Sequence, residues 1–374
     1  KYELDTPCLV LDIKKFNHNL KAMQDHAHAF HKELRPHTKT HKCVTIAKKQ
    51  IEHGAIGICV TKVSEAEVYV NEGIQNVLIT SPVTTKLKIQ RLISCAKKSP
   101  QVMVVVDNPS NVDALQEAAF QNNLTLDILL DVDGGQGRTG IVAPTANDLI
   151  LHIASKPNLR LCGIQCYLGH IQHIQNYEER KKASEQGLSI GVKVFHDALK
   201  LLKEKNYPVD EKTFIFTGTG TGTHDIDVLI PEVTDLQVGS YAVMDVEYKL
   251  IGSKENPNGF SPTFQDAPMT MLSSVVSRCQ PLTVTIDAGL KALYKDGPAP
   301  KIVLPNIECE YKWAGDEHGI LHFKDTTHRP EIGSVVEMIV SHCDPTINLH
   351  DKFFACDNDT VIDVWPIEAQ GCCQ

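Results

Sequence analysis

The sequence predicts an α/β fold in which a (β/α)8 barrel is joined to a β domain. Short apolar runs alternate with amphipathic helical patterns eight times over roughly 225 residues, which is the length expected of such a barrel. After about residue 250 the alternation stops, and strand-like runs follow one another without a long helix. An open, doubly wound sheet is the structural alternative, but no GxGxxG motif follows the first strand.

The change of pattern also predicts the domain bounds. Residues 13–250 form the predicted barrel, and residues 1–12 together with 251–374 form the predicted β domain. The N-terminal strand is assigned to the β domain because a helical pattern separates it from the first barrel strand. Residues 252–268 are rich in Gly, Pro and polar residues, which is typical of a linker or a long surface loop.

Each barrel element is predicted from its own pattern. Mostly β-branched apolar runs predict the eight strands Leu34–His37, Ile56–Thr61, Val77–Thr80, Val102–Asp107, Leu126–Asp133, Leu159–Tyr167, Phe214–Thr217 and Val233–Val238. Helical spacing predicts Val44–His53, Ser64–Glu72, Thr85–Lys98, Asn111–Gln121, Ala146–Ser155 and Glu178–Lys205. Ser64 and Glu67 have the spacing of a capping box.

The β domain is predicted from shorter runs. The first strand-like segment of the chain is Glu3–Asp12. Alternating or wholly apolar runs predict the strands Met269–Ser277, Leu282–Asp287, Tyr311–Trp313, Ile320–Phe323, Val335–Ser341, Phe353–Cys356 and Val361–Trp365.

Composition excludes several classes of protein. The formal net charge of −9 argues against a general nucleic-acid binder, which needs a basic face. No run of 18 apolar residues is present, so no membrane span is predicted. The twelve cysteines form no CxxC pair, which argues against a structural zinc site and favours reduced thiols in a cytoplasmic protein.

Barrel enzymes place their active sites at the carboxyl ends of the strands, so residues that follow the strands are the candidates for function. The first strand is followed by RPHTKTHK, in which Lys39 lies among Arg35, His37 and Lys42. Neighbouring positive charge and desolvation lower the pKa of an amine and prepare it for Schiff-base chemistry. A solvated basic turn is the alternative interpretation.

The fifth and sixth strands are followed by groups that can bind an anion or transfer a proton. The run DGGQGRTG offers Arg138 among glycines that allow close backbone approach. The run QCYLGHIQH offers Tyr167, His170 and His173, and histidines titrate near neutral pH.

The seventh and eighth strands predict a phosphate site. The run TGTGTGT at 217–223 combines backbone N–H groups with hydroxyls, and Gly239, Ser240 and Tyr241 follow the next strand. Barrels often bind phosphate with these two loops. A phosphate site together with a lysine after the first strand suggests pyridoxal phosphate (PLP) as the cofactor.

The β domain contains a candidate metal site. His342 and Asp344 follow an apolar strand, and residues two apart in a strand project to the same face. They would form a nitrogen and oxygen half-site that suits Mn²⁺, Mg²⁺ or Zn²⁺, while Cys343 would point to the other face. A polar strand end is the alternative interpretation.

Taken together and in order, the runs RPHTKTHK, VDGGQGRTG, QCYLGHIQH, TGTGTGT, QVGSYAVMD, DAGLKAL, DEHG and SHCDPTINLHD resemble the PLP-dependent D-threonine aldolases. These are fold-type III enzymes with an alanine racemase-like fold, related to D-serine dehydratase and to D-3-hydroxyaspartate aldolase. The resemblance extends over nearly the whole chain.

The resemblance implies a role for each candidate residue. Lys39 would hold PLP, Arg138 would approach its phenolate oxygen, and Tyr167 would lie near its ring nitrogen. His173 would take the proton from the β-hydroxyl of the substrate. The phosphate would be held by Gly218, Thr219, Gly220, Thr221, Gly239, Ser240 and Tyr241. His342 and Asp344 would bind a divalent metal, with Mn²⁺ expected and Mg²⁺, Co²⁺ or Zn²⁺ as alternatives.

The implied activity is that of a carbon–carbon lyase which cleaves β-hydroxy-D-amino acids, such as D-threonine, to glycine and an aldehyde. The resemblance also implies a homodimer with active sites at the interface. D-3-Hydroxyaspartate aldolase remains an alternative, as does a dehydratase acting on D-serine or D-3-hydroxyaspartate. The dehydratases carry Cys two residues after the metal-binding His, where this chain has Asp344. A PLP-binding protein without catalytic activity is a more remote alternative, because such proteins resemble the barrel alone.

Overall fold

The structure is a computed structural model that describes residues 1–303 and 308–374. All eight predicted barrel strands are confirmed, with bounds that differ at one or both ends: β2 (Glu33–Leu34), β3 (Ile58–Val60), β4 (Val77–Ile79), β5 (Met103–Val106), β6 (Leu126–Asp131), β7 (Leu159–Gln165), β8 (Ile215–Thr219) and β9 (Asp235–Leu236). Each is followed in the chain by a helix: α2 (Val44–Glu52), α3 (Val63–Asn71), α4 (Lys86–Lys98), α5 (Pro109–Gln121), α6 (Ala143–Ala154), α7 (Tyr177–Glu204), α8 (His224–Asp227) and α9 (Val246–Lys249).

The eight strands form a parallel sheet in the order β2-β9-β8-β7-β6-β5-β4-β3. Backbone bonds then join its two edges, since Thr38 N donates to the carbonyl of Cys59 (2.9 Å) and Cys59 N donates to the carbonyl of Pro36 (2.8 Å). The sheet therefore closes into the barrel that the sequence predicts. Its interior is packed rather than hollow, with a cluster formed by Cys59, Leu78, Met103, Val105 and Leu129.

The predicted capping box of Ser64 and Glu67 is wrong. Helix α3 begins at Val63, with Lys62 rather than a residue of the predicted box at the N-cap position. Glu65 supplies the capping carboxylate, and its Oε2 accepts from the amides of Thr61 (2.7 Å) and Lys62 (3.0 Å). Ser64 lies inside the first turn and donates instead to the carbonyl of Gln374 (2.8 Å). A contact with the far end of the chain leaves no sign in the local pattern.

The mixed sheet begins with the first strand of the chain. Strand β1 (Cys8–Asp12) precedes helix α1 (Ile13–Ala29), and the remaining strands are β10 (Met269–Ser277), β11 (Thr283–Ile286), β12 (Lys301–Ile302), β13 (Cys309–Trp313), β14 (Gly319–Phe323), β15 (Val335–Ile339), β16 (Lys352–Asp357) and β17 (Thr360–Pro366). Seven described strands lie in the order β13-β14-β11-β10-β1-β16-β17, and β15 adds to β10 and pairs with β12. Strand β1 runs antiparallel to β10 and parallel to β16.

The chain separates into two compact units. One comprises residues 1–23, 40–46 and 240–371, and the other comprises 24–39, 47–239 and 372–374. The barrel lies in the second unit and the mixed sheet in the first. The domain bounds given above, 13–250 for the barrel, remain a prediction. Within residues 1–303 and 308–374, no helix has both the length and the apolar composition of a membrane span.

Candidate active site and candidate metal centre

Lys39 lies just beyond the point where the barrel closes. Thr38 ties this segment to β3, because both its amide and its hydroxyl (3.1 Å) donate to the carbonyl of Cys59. The amide of Lys39 donates to Nδ1 of His37 (3.4 Å), and Nε2 of His37 lies 3.1 Å from Oγ1 of Thr80. The half-buried lysine is therefore held on a fixed backbone at the carboxyl end of the barrel.

Three of the predicted cofactor residues meet at one cavity. Lys39, Arg138 and Tyr167 line a space of about 760 Å³, which is a size typical of small-molecule sites. Further polar residues at the strand ends complete its wall, among them His37, Lys62, Asp107, Gln136, Gln165 and Gln237. An amine, a guanidinium and a phenol around one cavity fit the covalent and polar contacts that PLP requires.

The loop that carries Arg138 is shaped by a carboxylate. Oδ1 of Asp133 accepts from the amides of Gly135 (2.9 Å) and Gly137 (3.0 Å). Partial burial acts to raise the pKa of Asp133, but the backbone N–H groups outweigh it and hold the pKa below its ordinary value. The guanidinium carbon of Arg138 then lies 5.6 Å from the centre of the Tyr167 ring, within range of a cation–π contact.

A buried network supports the base of the same loop. Asp131, at the end of β6, accepts from Nε2 of Gln165 (2.9 Å) and from Oγ1 of Thr139 (2.8 Å). Nε2 of Gln237 donates in turn to Oε1 of Gln165 (3.1 Å). Burial raises the pKa of Asp131 to about 6, despite the opposing effect of its two side-chain donors. The carboxyl group of Asp131 therefore binds a proton more tightly in the folded protein than in the unfolded chain.

Asp131→Asn is expected to change how stability depends on pH. Burial raises the pKa of Asp131 from 3.8 to about 6. The protonated carboxyl group therefore contributes to the stability of the wild-type fold below pH 4, and this stabilisation is lost as the pH rises through 6. The free energy of unfolding of the variant, relative to wild type, should therefore rise by about 1–3 kcal/mol between pH 4 and pH 7. Denaturant unfolding at several pH values measures it.

A surface carboxylate offers the control. Asp113 has its pKa lowered, mainly by the hydrogen bond from Lys156, so Asp113→Asn should produce no such rise. If the difference in unfolding free energy between Asp131→Asn and wild type stayed constant from pH 4 to pH 7, titration of Asp131 would not contribute to the pH dependence of stability.

The predicted phosphate loop, 217–223, overlaps the end of β8, and packing requires glycine at two of its positions. A Cβ at Gly218, whose φ is +158°, would lie 2.0 Å from the carbonyl oxygen of Cys166. A Cβ at Gly222 would lie 2.0 Å from the carbonyl oxygen of Gln172. The loop therefore presses against the segment that follows β7. The two loops of the predicted phosphate site also meet, since Gly239 N donates to Oγ1 of Thr221 (3.2 Å).

Two buried charged residues hold this loop from behind. Asp227 accepts from Oγ of Ser184 (2.5 Å) and from Oγ1 of Thr223 (2.6 Å), and burial raises its pKa to about 6. Nε of Arg180 donates to the carbonyl of Gly222 (2.6 Å), and burial lowers the pKa of this arginine. The position of the loop is thus determined before any ligand binds.

The other predicted active-site residues lie outside the cavity around Lys39, including Gly218, Thr219, Gly220, Thr221 and Gly239 of the predicted phosphate site. His173 is half-buried beyond a short 3-10 helix and does not line the cavity around Lys39. Ser240 and Tyr241 belong to the compact unit of the mixed sheet. Oγ of Ser240 donates to Oδ1 of Asp344 (3.3 Å), and the carbonyl of Tyr241 accepts from Asn19 (3.0 Å).

The candidate metal residues do not have the predicted backbone. Strand β15 ends at Ile339, and His342 is the extended N-cap residue of helix α10 (Cys343–Ile347). Asp344 lies in the first turn of that helix, so strand alternation is the wrong reason for placing it beside His342. Cys343 points into the interior, and burial raises the pKa of its thiol well above the ordinary value, which does not favour a thiolate ligand.

Carboxylates surround His342. Its Nδ1 lies 3.3 Å from Oδ2 of Asp296 and 3.9 Å from Oε2 of Glu247. Burial raises the pKa of Glu247; His342 opposes the rise, whereas Asp245, Asp296 and Asp344 add to it. An accumulation of negative charge beside an imidazole favours a bound cation.

Asp245 holds the start of helix α10, beside the candidate metal ligands His342 and Asp344. Its Oδ2 accepts from the amide of Cys343 (2.8 Å), and its Oδ1 accepts from the amide of Tyr248 (2.8 Å). Within residues 1–303 and 308–374, no three His, Cys, Asp or Glu side chains are placed to hold a metal together. Metal binding by His342 and Asp344 remains a prediction; with two protein ligands, such a site would leave coordination positions open for other ligands.

Sequence reasoning missed several residues of the cavity wall. Lys62 follows β3, Asp107 follows β5, and Gln237 follows β9. A signal was available, because each is a polar residue within two positions of the end of a buried strand. Lys62 and Asp107 were missed because no conspicuous motif follows the second and fourth barrel strands. Gln237 lies in the run QVGSYAVMD, in which only Gly239, Ser240 and Tyr241 were assigned a role.

Comparison with known proteins defines the class. Residues 11–221 match the family model described as alanine racemase, N-terminal domain, and residues 268–356 match the putative serine dehydratase domain. Barrel and mixed sheet together thus form an alanine racemase-like protein, as predicted.

Full-length relatives define the family. The chain is 36% identical to a D-threonine aldolase from Arthrobacter sp., over 98% of this chain and 93% of the relative. It is 34% identical to a 3-hydroxy-D-aspartate aldolase from Paracoccus denitrificans, over 99% and 93%. The crystal structure of a D-threonine aldolase from Filomicrobium marinum matches with a TM-score of 0.89 at 33% identity, covering 99% of this chain and 96% of that one. The chain belongs to this aldolase family of carbon–carbon lyases, and membership supports PLP as its cofactor.

Proposed function

We propose that this protein is a PLP- and divalent-metal-dependent aldolase that cleaves β-hydroxy-D-amino acids to glycine and an aldehyde. The observation that carries the proposal is the single cavity lined by Lys39, Arg138 and Tyr167 in a chain of the aldolase family. D-Threonine would give acetaldehyde, and D-3-hydroxyaspartate would give glyoxylate.

The proposed cofactor-binding residues would have distinct roles. Lys39 would bind the cofactor covalently, and Arg138 would donate to its phenolate oxygen. Gly218, Thr219, Gly220 and Thr221, with Gly239, Ser240 and Tyr241, would hold its phosphate. When bound, PLP supplies an electron-accepting ring that stabilises the electron pair left by the broken Cα–Cβ bond.

Tyr167 would moderate that electron withdrawal. A neutral phenol at the ring nitrogen does not enforce protonation as a carboxylate would. The cation–π contact with Arg138 orients this phenol and supports its position at the cavity wall. Moderate electron withdrawal would limit unwanted proton exchange at Cα.

His173 would accept the proton of the β-hydroxyl group, because an imidazole titrates near neutral pH. His342 and Asp344 would hold the divalent metal, for which Mn²⁺ is our proposal and Mg²⁺, Co²⁺ or Zn²⁺ are alternatives. The metal would supply Lewis acidity that lowers the pKa of the substrate hydroxyl.

A dehydratase is the second candidate, because residues 268–356 match the putative serine dehydratase domain. Loss of the β-hydroxyl would then give a keto acid and ammonia instead of glycine. The buried thiol of Cys343 and the carboxylate at Asp344 favour the aldolase. A PLP-binding protein without activity accounts for neither His342 nor Asp344.

A product assay separates these functions. The PLP-loaded protein with Mn²⁺ is expected to release glycine from D-threonine and from D-3-hydroxyaspartate, and none from L-threonine. Quantifying glycine, aldehyde, keto acid and ammonia identifies the reaction. Release of pyruvate and ammonia from D-serine, without release of glycine from D-threonine or D-3-hydroxyaspartate, would establish a dehydratase instead.

Two further properties belong to the proposal. We infer a homodimer with active sites at the interface, and its mass in solution tests that inference. We also infer a cytoplasmic location, which is supported by twelve cysteines without a disulfide.

A further inference from the structure

Lys62 is a cation in the wall of the active-site cavity that the cofactor roles do not use. It lies two residues after the end of β3 and lines the same space as Lys39 and Arg138. The side chain is half-buried, and its ammonium group makes no hydrogen bond or ion pair with any residue that the structure describes. A partly desolvated ammonium without an anionic partner is unfavourable, so it favours an anionic ligand.

Cations outnumber carboxylates among the described residues that line this cavity. Lys39, Lys62 and Arg138 are the lysine and arginine side chains that line the cavity, and Asp107 is the carboxylate among the lining residues. Oδ2 of Asp107 already accepts from the amide of Gly140 (3.0 Å). In the proposed function Lys39 bonds to the cofactor and Arg138 faces its phenolate oxygen, so Lys62 remains for the substrate.

The two candidate substrates differ in the group that Lys62 could bind. D-Threonine carries a methyl group on Cβ, and D-3-hydroxyaspartate carries a carboxylate at the same position. We propose that Lys62 binds this second carboxylate and makes the protein selective for β-hydroxy-D-amino dicarboxylic acids over D-threonine. This inference rests on the proposed function and assigns its substrate class.

The test compares Lys62→Met with wild type on both substrates, using the PLP-loaded full chain. A charge-assisted contact of this kind is expected to contribute about 10- to 100-fold in kcat/KM. The variant should lose that factor on D-3-hydroxyaspartate and change less than about 3-fold on D-threonine. Lys62→Arg, which keeps the charge, should retain more of the activity on the dicarboxylate. Lys88→Met, which changes a half-buried lysine outside this cavity, should leave both rates unchanged.

A binding measurement provides a readout that does not depend on turnover. D-Malate differs from D-lactate by one carboxylate in place of a hydrogen, and both can be titrated calorimetrically. Wild type should bind D-malate about 10-fold or more tightly than D-lactate, and Lys62→Met should abolish the preference.

The possible outcomes distinguish the role inferred for Lys62 from the proposed aldolase activity. Equal losses of kcat/KM on both substrates would place Lys62 at the α-carboxylate that they share. Unchanged kcat/KM on both substrates would show that Lys62 does not take part in substrate recognition. Either outcome overturns the inference about Lys62 and leaves the proposed aldolase activity intact. Absence of glycine from wild type would reject the aldolase, and the malate and lactate titrations would then decide the role of Lys62 alone.

Discussion

Replacing Lys39 with alanine is expected to abolish both activity and the visible absorbance of covalently bound PLP. The cavity wall offers two lysines, but only Lys39 is held on the backbone segment that closes the barrel. Removing a covalent catalytic group should lower kcat by at least about 1,000-fold. An absorbance spectrum of the purified variant with added PLP, together with a glycine release assay, measures both effects.

Lys39→Arg distinguishes chemistry from charge. A guanidinium keeps the positive charge but cannot act as the amine, so this variant should fail like the alanine variant. Lys88→Met should keep the visible band and the activity. A visible band that persists in Lys39→Ala would show that another lysine binds PLP, and Lys62 would be the next to replace.

His342→Ala is expected to make the protein insensitive to divalent metal. Loss of the imidazole removes one of two proposed protein ligands, while Asp344 remains bonded to Ser240. Changes next to metal ligands alone weaken binding about 10- to 100-fold, so loss of a ligand should weaken Mn²⁺ binding by more than about 100-fold. Calorimetric titration of the metal-stripped protein measures the affinity, and EDTA with Mn²⁺ rescue measures the dependence of activity.

His322→Ala serves as the matched control, since it changes a half-buried histidine of the same sheet on β14. It should bind Mn²⁺ like wild type. If His342→Ala remains sensitive to EDTA and is fully restored by Mn²⁺, the metal binds elsewhere. Equal losses in both histidine variants would indicate general damage to the mixed sheet rather than loss of a ligand.

The barrel could be predicted because each strand is a short buried run bounded by helical patterns. Strand β6, for example, is buried along its whole length and stands out by composition alone. The same local logic failed at His342, where apolar residues before it suggested a continuing strand. A carboxylate 98 residues earlier, Asp245, binds the amide of Cys343 and starts a helix there instead. Such long-range capping has no local sequence signature.

The active site was predicted only where residues form conspicuous motifs. Lys39, Arg138 and Tyr167 lie in runs of unusual composition, and the structure places all three at one cavity. Lys62 was missed because a single lysine before a helix is an ordinary feature of sequences. Its significance depends on which cavity it lines and on the absence of a described partner, and both are properties of the folded chain.

The two bonds of Asp245 have a consequence for motion. One carboxylate secures the amide of Tyr248 in α9 and that of Cys343 in α10, so neither helix start can open without disturbing the other. Hydrogen exchange at these two amides should therefore report a single opening event with one shared protection factor. Helix α9 and the start of α10, which contains the candidate metal ligands, would then open together as one cooperative element of the β domain.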